Sequence, residues 1–175
     1  MLAQRGVVDI TAVDIDPVAV DEASANVAAS PWPEAVTLWH GDFIDWAAAH
    51  PLSVDLVVCN PPFFTETLRS GDNRRAAARH EGTLGIASLL EASATVLNER
   101  GRVALVSPAS RENEIAMLAA VSRLYINRLS RVASRPGKPP KRLVVELSRS
   151  NIPAVIETLY INDNTSDFSD AYCRL

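Results

Sequence analysis

Val54–Phe64 reads VDLVVCNPPFF, and this stretch decides the fold. Val54–Cys59 (VDLVVC) is almost continuously apolar. A short apolar run rich in β-branched residues and followed by a turn signal predicts a buried strand of a parallel sheet. Asn60-Pro61-Pro62-Phe63 follows at once. Open α/β sheets take their ligands beyond the carboxyl ends of their strands. The two prolines fix the backbone and have no amide hydrogen to donate. Their carbonyls and the Asn60 side chain therefore offer rigid acceptors, with the flat face of Phe63 beside them. Acceptors next to a π-face suit a planar amino-bearing group, either an exocyclic amine or a carboxamide. The plainer alternative is a proline turn with a packed phenylalanine.

Outward from this stretch, Ile10–Asp16 (ITAVDID) predicts a strand. Asp16-Pro17 is a helix start, an N-cap with proline at the first helical position. That helix is expected to reach about Ser30, with Val20, Ala23 and Val27 on one face, and Pro31 and Pro33 end it. Ala35–His40 predicts a short strand, with Gly41-Asp42-Phe43 just after it. Residues 60–82 read as loop. Thr83–Asn98 predicts an amphipathic helix with Leu84, Ala87, Leu90, Ala94 and Leu97 inward, and Gly101 suits the turn after it. Arg102–Ser107 is the next strand, and Ser110 is the expected cap of a helix over Glu112–Leu124. Tyr125–Ala133 and Arg142–Ser148 read as an antiparallel pair around a Pro/Gly/Lys loop. Strands alternating with helices and closing on a hairpin predict an α/β fold, its sheet mostly parallel with an antiparallel C-terminal hairpin.

The 175 residues suit one domain. Apolar residues make up 47% and charged residues 22%, a balance that excludes a fully disordered chain. Mean hydropathy is +0.04, and no apolar run has the roughly 18 residues a membrane span needs. No cationic start leads into an apolar stretch, so no signal peptide is expected. Cys59 and Cys173 are too few for a disulfide framework, and a reducing, cytoplasmic setting follows.

The net charge of −4 argues against a nucleic-acid partner until it is divided along the chain. Residues 1–65 hold one basic and nine acidic groups, net −8. Residues 66–142 hold fourteen basic and seven acidic groups, net +7, and residues 143–175 carry −3. A middle segment this basic either meets phosphates or is a solvated surface. Its cations gather in two loops, Arg69, Arg74, Arg75, Arg79 and His80 in one, Arg131, Arg135, Lys138, Lys141 and Arg142 in the other.

Two acids stand at predicted strand ends. Asp14 can accept hydrogen bonds from both hydroxyls of a ribose, or simply face solvent. Asp42 can accept from an adenine amino group with Phe43 on the ring, or cap the helix that follows. No His/Cys/Asp spacing predicts a metal site. No serine or cysteine has a partner set for covalent catalysis. Trp32, Trp39 and Trp46 read as packing residues. The seven glycines include no G-x-G, the loop that nucleotide-type cofactors usually require.

Taken in order and spacing, Ala12–Pro17 (AVDIDP), Gly41-Asp42-Phe43 and Val54–Phe64 resemble the S-adenosylmethionine-dependent methyltransferases that modify amino groups by an NPPF/Y motif. Met1–Arg5, Ser30-Pro31-Trp32, Arg79-His80 and Pro140-Lys141-Arg142 extend the resemblance to the bacterial branch that methylates N6 of the adenine beside a valine tRNA anticodon. The resemblance covers nearly the whole chain. It implies a Rossmann-like class I methyltransferase sheet, S-adenosylmethionine as cofactor and RNA, a tRNA, as partner. By it Asp14 holds the cofactor ribose, Asp42 and Phe43 its adenine, and Asn60 lies against the cofactor as well. Asn60, Pro61 and Pro62 hold the target amine and Phe63 stacks on the target base. Arg74, Arg75, Arg79, His80, Arg135, Lys138, Lys141 and Arg142 grip RNA, with no metal and no membrane involved. The family's first strand and glycine loop do not appear in this chain, and Phe168–Leu175 stops short of the terminal strand. Strands on either side of the first one are therefore expected to lack partners, and cofactor binding by this chain to be weak. A second reading is a protein glutamine N5-methyltransferase, which uses an NPP-type motif on a carboxamide. A third is a non-catalytic remnant that binds RNA or another partner.

Overall fold

The computed structural model describes residues 1–61, 84–165 and 167–174. Among the described residues, seven strands form two sheets. The smaller pairs β1 (Ile10–Asp14) with β2 (Val36–His40) in parallel, and Asp14 lies opposite His40. The larger has five strands, in the order β3 (Val54–Cys59), β4 (Leu97–Pro108), β6 (Arg142–Ser148), β5 (Tyr125–Ala133) and β7 (Val155–Tyr160). Only β6 runs against the other four. The mostly parallel α/β sheet with an antiparallel hairpin is thus observed. Among the described residues β1 pairs only with β2 and β3 only with β4, so each has one edge without a ladder partner.

Helices join the two sheets into one core. Helix α1 (Pro17–Ala28) starts as predicted, the Asp16 carboxylate accepting from the Val18 amide at 2.9 Å. It ends two residues before Ser30, and its inner side includes Val20, Ala23 and Val27. Helix α2 (Phe43–Ala49) packs against α3 (Ile86–Val96). Trp46 from α2 and Ile86, Leu90 and Val96 from α3 join Val57, Val103, Leu105, Val145 and Leu147 of the large sheet in one apolar cluster, with Val13 and Trp39 of the small sheet against it. Burying a leucine such as Leu90 removes enough apolar surface to stabilise the fold by about 1.5–3 kcal/mol. Helix α4 (Glu112–Val121) adds Ile115 and Ala119.

Several expectations need correction. Helix α3 buries Ile86, Leu89, Leu90, Ala92, Ser93 and Val96, while Ala87 is exposed and Leu84 and Ala94 are only half-buried. The inner face is rotated because the helix docks through its Leu89–Leu90 side. Leu97 already belongs to β4, where it pairs with Val54. Gly101 lies inside β4 rather than in a turn after the helix, where the register jumps from Val54–Leu97 to Leu56–Arg102. Ser110 does not cap α4. It sits in a 3-10 turn (Ala109–Arg111), and Arg111 takes the cap position, pairing with Glu114 at 2.6 Å. Strand β3 is parallel as predicted but not buried throughout. Val57 faces the core, whereas Leu56 and Val58 lie on an open face at 36% and 57% exposure. Strand β7, which has no fully buried residue, carries no periodic apolar signal in the sequence.

The register jump yields a stability prediction. A Cβ on Gly101 would meet the Leu97 Cδ2 at 2.8 Å and the Val54 carbonyl oxygen, a backbone atom, at 2.9 Å. Gly101→Ala is expected to destabilise the protein by roughly 1–3 kcal/mol, the usual result of overpacking. A urea titration should show a lower midpoint with an unchanged slope.

Candidate active site

The site is built on strand ends. Asp14 closes β1, and its Oδ1 accepts from the Asp16 amide at 2.9 Å. The Gly41 amide, just past β2, donates to the Asp14 carbonyl at 2.9 Å. That bond ties the two strand ends together and sets Asp42 beside Asp14. Asp42 is the N-cap of α2, one oxygen accepting from the Ile44 amide at 2.7 Å. Capping and ligand binding are compatible, because a carboxylate has about four lone-pair sites. Phe43 opens α2 and lies 6.3 Å from the Trp46 ring, nearly parallel to it. Trp46 is buried and stacks on His50 at 4.5 Å, in line with its expected packing role.

Gly41 has a part that its place in the sequence motif did not reveal. Its φ is +156°, and a Cβ there would lie 2.2 Å from the Trp39 ring. Only glycine lets the chain pass over the indole and return to Asp42. The signal was present as a glycine immediately after a strand, but the obstacle is a tertiary contact.

Asn60 stands exposed at the carboxyl end of β3, and Pro61 after it is buried. An exposed amide on a buried proline gives a side chain free to meet a ligand from an anchored backbone. Pro62 and Phe63 lie outside the described residues, as do Arg69, Arg74, Arg75, Arg79 and His80. Cys59, next to Asn60, is not a nucleophile, because burial pushes its thiol pKa up to about 11. The unfolded thiol ionises first, so the Cys59 contribution to stability is lost as pH rises above 9. Alkylation followed by mass spectrometry at pH 8 should label exposed Cys173 and spare Cys59. Labelling of Cys59 should accelerate toward pH 11.

The hairpin loop lies at the same edge. Strands β3, β4, β5 and β7 all end there and β6 begins there. Arg135, Lys138, Lys141 and Arg142 are exposed in or beside the loop between β5 and β6. The loop is braced by the Lys141 amide on the Val132 carbonyl (2.9 Å) and the Ala109 amide on the Lys141 carbonyl (3.2 Å). Measured across the strands, Arg142 is two spacings, about 10 Å, from the line of Asn60. Arg131 is not a loop cation. It lies in β5 and pairs with Glu112 at 2.5 Å, which holds that carboxylate below its ordinary range. Among the described residues no cluster of His, Cys, Asp and Glu could hold a metal ion, and no helix is long and apolar enough to cross a membrane.

A mostly parallel sheet with acidic and amide side chains at its carboxyl edge is the architecture of the Rossmann-like methyltransferases. A predicted O-methyltransferase from Agrobacterium tumefaciens superposes with a TM-score of 0.72 at 12% identity, covering 93% of this chain and 74% of that one. A TehB-like SAM-dependent methyltransferase from Corynebacterium glutamicum superposes at 0.51 with 18% identity, over 81% and 68%. The model of the methyltransferase small domain family matches residues 1–128, and the chain belongs to that family. Among its relatives, a tRNA1(Val) (adenine(37)-N6)-methyltransferase from Porphyromonas gingivalis is 36% identical over all of this chain and 72% of its own length. The protein of the same name from Yersinia pestis is 33% identical, over all of this chain and 71% of its own.

Proposed function

We propose that residues 1–175 act as one S-adenosylmethionine-dependent methyltransferase domain that modifies the N6 amine of an adenine in a tRNA anticodon loop, in the cytoplasm. The observation that carries this is the alignment of the whole chain, at 33–36% identity, with relatives named for that reaction. Asp14 and Asp42 fit the nucleoside half of the cofactor, since acceptor-only carboxylates on adjacent strand ends suit ribose hydroxyls and an exocyclic amine. Asp14 takes the ribose with its Oδ2, Asp42 takes the adenine amine with the oxygen that does not cap α2, and Phe43 lies on the ring. When bound, the cofactor would supply an electrophilic methyl group, its S–CH3 bond breaking as the N–C bond forms and the electron pair staying on sulfur, which would leave as a neutral thioether.

The target amine is a poor nucleophile because its lone pair is delocalised into the ring. The Asn60 side-chain oxygen and the Pro61 carbonyl accept its two hydrogens. This favours a pyramidal nitrogen whose lone pair points at the methyl group. The same acceptors stabilise the positive charge that grows on nitrogen as the N–C bond forms, a preorganised electrostatic effect. The methylated nitrogen is then strongly acidic and loses its proton to water, without a base from the protein. Pro62 and Phe63 complete the cradle, Phe63 by stacking on a base that has left its own stack. Loop adenines are already splayed, which suits an anticodon arm. Arg135, Lys138, Lys141 and Arg142, with Arg74, Arg75, Arg79 and His80, hold the backbone phosphates. Transfer of a labelled methyl group to tRNA, measured beside a release factor under the same conditions, tests the proposal. Label in tRNA alone supports it, and label in the release factor alone replaces it with glutamine methylation.

A further inference from the structure

We propose that Trp46 and His50 are positioning residues for cofactor binding, the lower members of an aromatic ladder along α2 that sets the plane of Phe43. The inference rests on the placement of Phe43 against the cofactor adenine given above. The three residues fall at i, i+3 and i+7, so they stand one above another on a single side of the helix. The Phe43 and Trp46 ring centroids are 6.3 Å apart, with planes 20° from parallel. Those of Trp46 and His50 are 4.5 Å apart and 18° from parallel. One ring orientation is thus carried along α2, from the strand-end site at its start to the residue that closes it.

Each member is held in its own way. Trp46 is only 8% exposed and belongs to the apolar cluster with Ile86 and Leu90, so the core sets its plane. His50 is exposed and closes α2, yet its ring is tied down. Its Nδ1 lies 2.7 Å from the Trp46 carbonyl oxygen, which can only accept, so Nδ1 carries the hydrogen and donates it. The His50 amide donates to the Ala47 carbonyl at 3.2 Å, and the His50 carbonyl accepts from the Ser53 hydroxyl at 2.6 Å. Phe43 is half-buried and opens the helix beside Asp42. A helix of seven residues is too short to keep its shape alone, so the direction of Phe43 depends on what its neighbours fix. Near-parallel, offset rings attract one another, and tilting one weakens the pair. A purine lying on Phe43 extends the same stack, and its amine reaches Asp42 only while that plane is kept.

The test titrates the whole chain with S-adenosylhomocysteine, the demethylated cofactor, and follows methyl transfer to tRNA over a range of cofactor concentrations. Trp46→Leu and His50→Asn should each weaken S-adenosylhomocysteine binding by about three- to tenfold, the worth of one aromatic pair. Both should raise the cofactor KM to the same extent and leave kcat at saturating cofactor unchanged, because neither residue touches the reacting atoms. Trp46→Phe and His50→Phe keep a flat ring and should retain most of the affinity. His50→Asn can still close the helix, so its loss isolates the ring. Its position is exposed, so it stands as the measurement where Trp46→Leu does not fold. With binding by Phe43→Ala weakened, wild-type binding by His50→Asn, equal loss in Trp46→Leu and Trp46→Phe, or a fall in kcat at unchanged KM would overturn the ladder and leave the placement of the adenine standing. Unchanged binding by Phe43→Ala, or none by the unaltered protein, would remove that placement and the ladder with it.

Discussion

Replacing Asn60 by alanine is expected to lower kcat for methyl transfer to RNA by about 10²–10³-fold, the usual cost of deleting one preorganised group facing developing charge. Cofactor affinity should change little, since Asp14 and Asp42 stay in place on the other sheet. KM for RNA should also change little, because phosphate contacts supply most of the affinity. Stability should hold, because Asn60 is exposed and its removal leaves no buried group unpaired. Asn60→Asp keeps an acceptor at the same distance and should recover part of the rate. Single-turnover kinetics with saturating cofactor separates these quantities. A variant that turns over at the wild-type rate would remove Asn60 from the chemistry.

Gly41→Ala should have the second largest effect, and through a different quantity. The new methyl group would lie 2.2 and 2.3 Å from two carbons of the Trp39 indole, at a backbone φ of +156°. Trp39 is packed against the core and has little room to yield. The chain must lift off β2, which breaks the Gly41–Asp14 bond and moves Asp42 with it. Cofactor affinity should fall by more than tenfold, and stability by about 1–3 kcal/mol from overpacking. Gly85→Ala is the control. A Cβ there meets nothing within 4 Å, so alanine at that helix N-cap should cost roughly 0.5–1 kcal/mol of stability through the cap alone and leave cofactor affinity unchanged. Calorimetric titration with cofactor, and urea midpoints for both variants, give the comparison.

How far the chain could be read in advance depended on where its signals were local. Strands β5 and β6 were legible to the residue, because a Pro/Gly/Lys loop cuts cleanly between two β-rich runs. The start of α1 was legible because Asp16-Pro17 is chemistry of the turn itself. The α3–β4 boundary was not, since no glycine or proline separates Val96 from Leu97 and leucine suits either element. Strand β7 (VIETLY) was missed because it is short and has no fully buried residue to impose a pattern. In the site, Asp14, Asp42 and Asn60 were legible as strand-end residues, but the role of Gly41 depends on an indole two residues away that folds back under it. Arg131 looked like a loop cation although it falls within the predicted strand, and it is committed to Glu112, a pairing made only by the packing of α4 against β5.

The most direct measurement is mass spectrometry of the nucleosides of a valine tRNA after incubation with the protein and methyl-labelled cofactor. One label per tRNA is expected, as N6-methyladenosine at the adenine beside the anticodon, and none in a transcript carrying guanosine there. Label on another base, or label unchanged by that substitution, would contradict the proposed reaction.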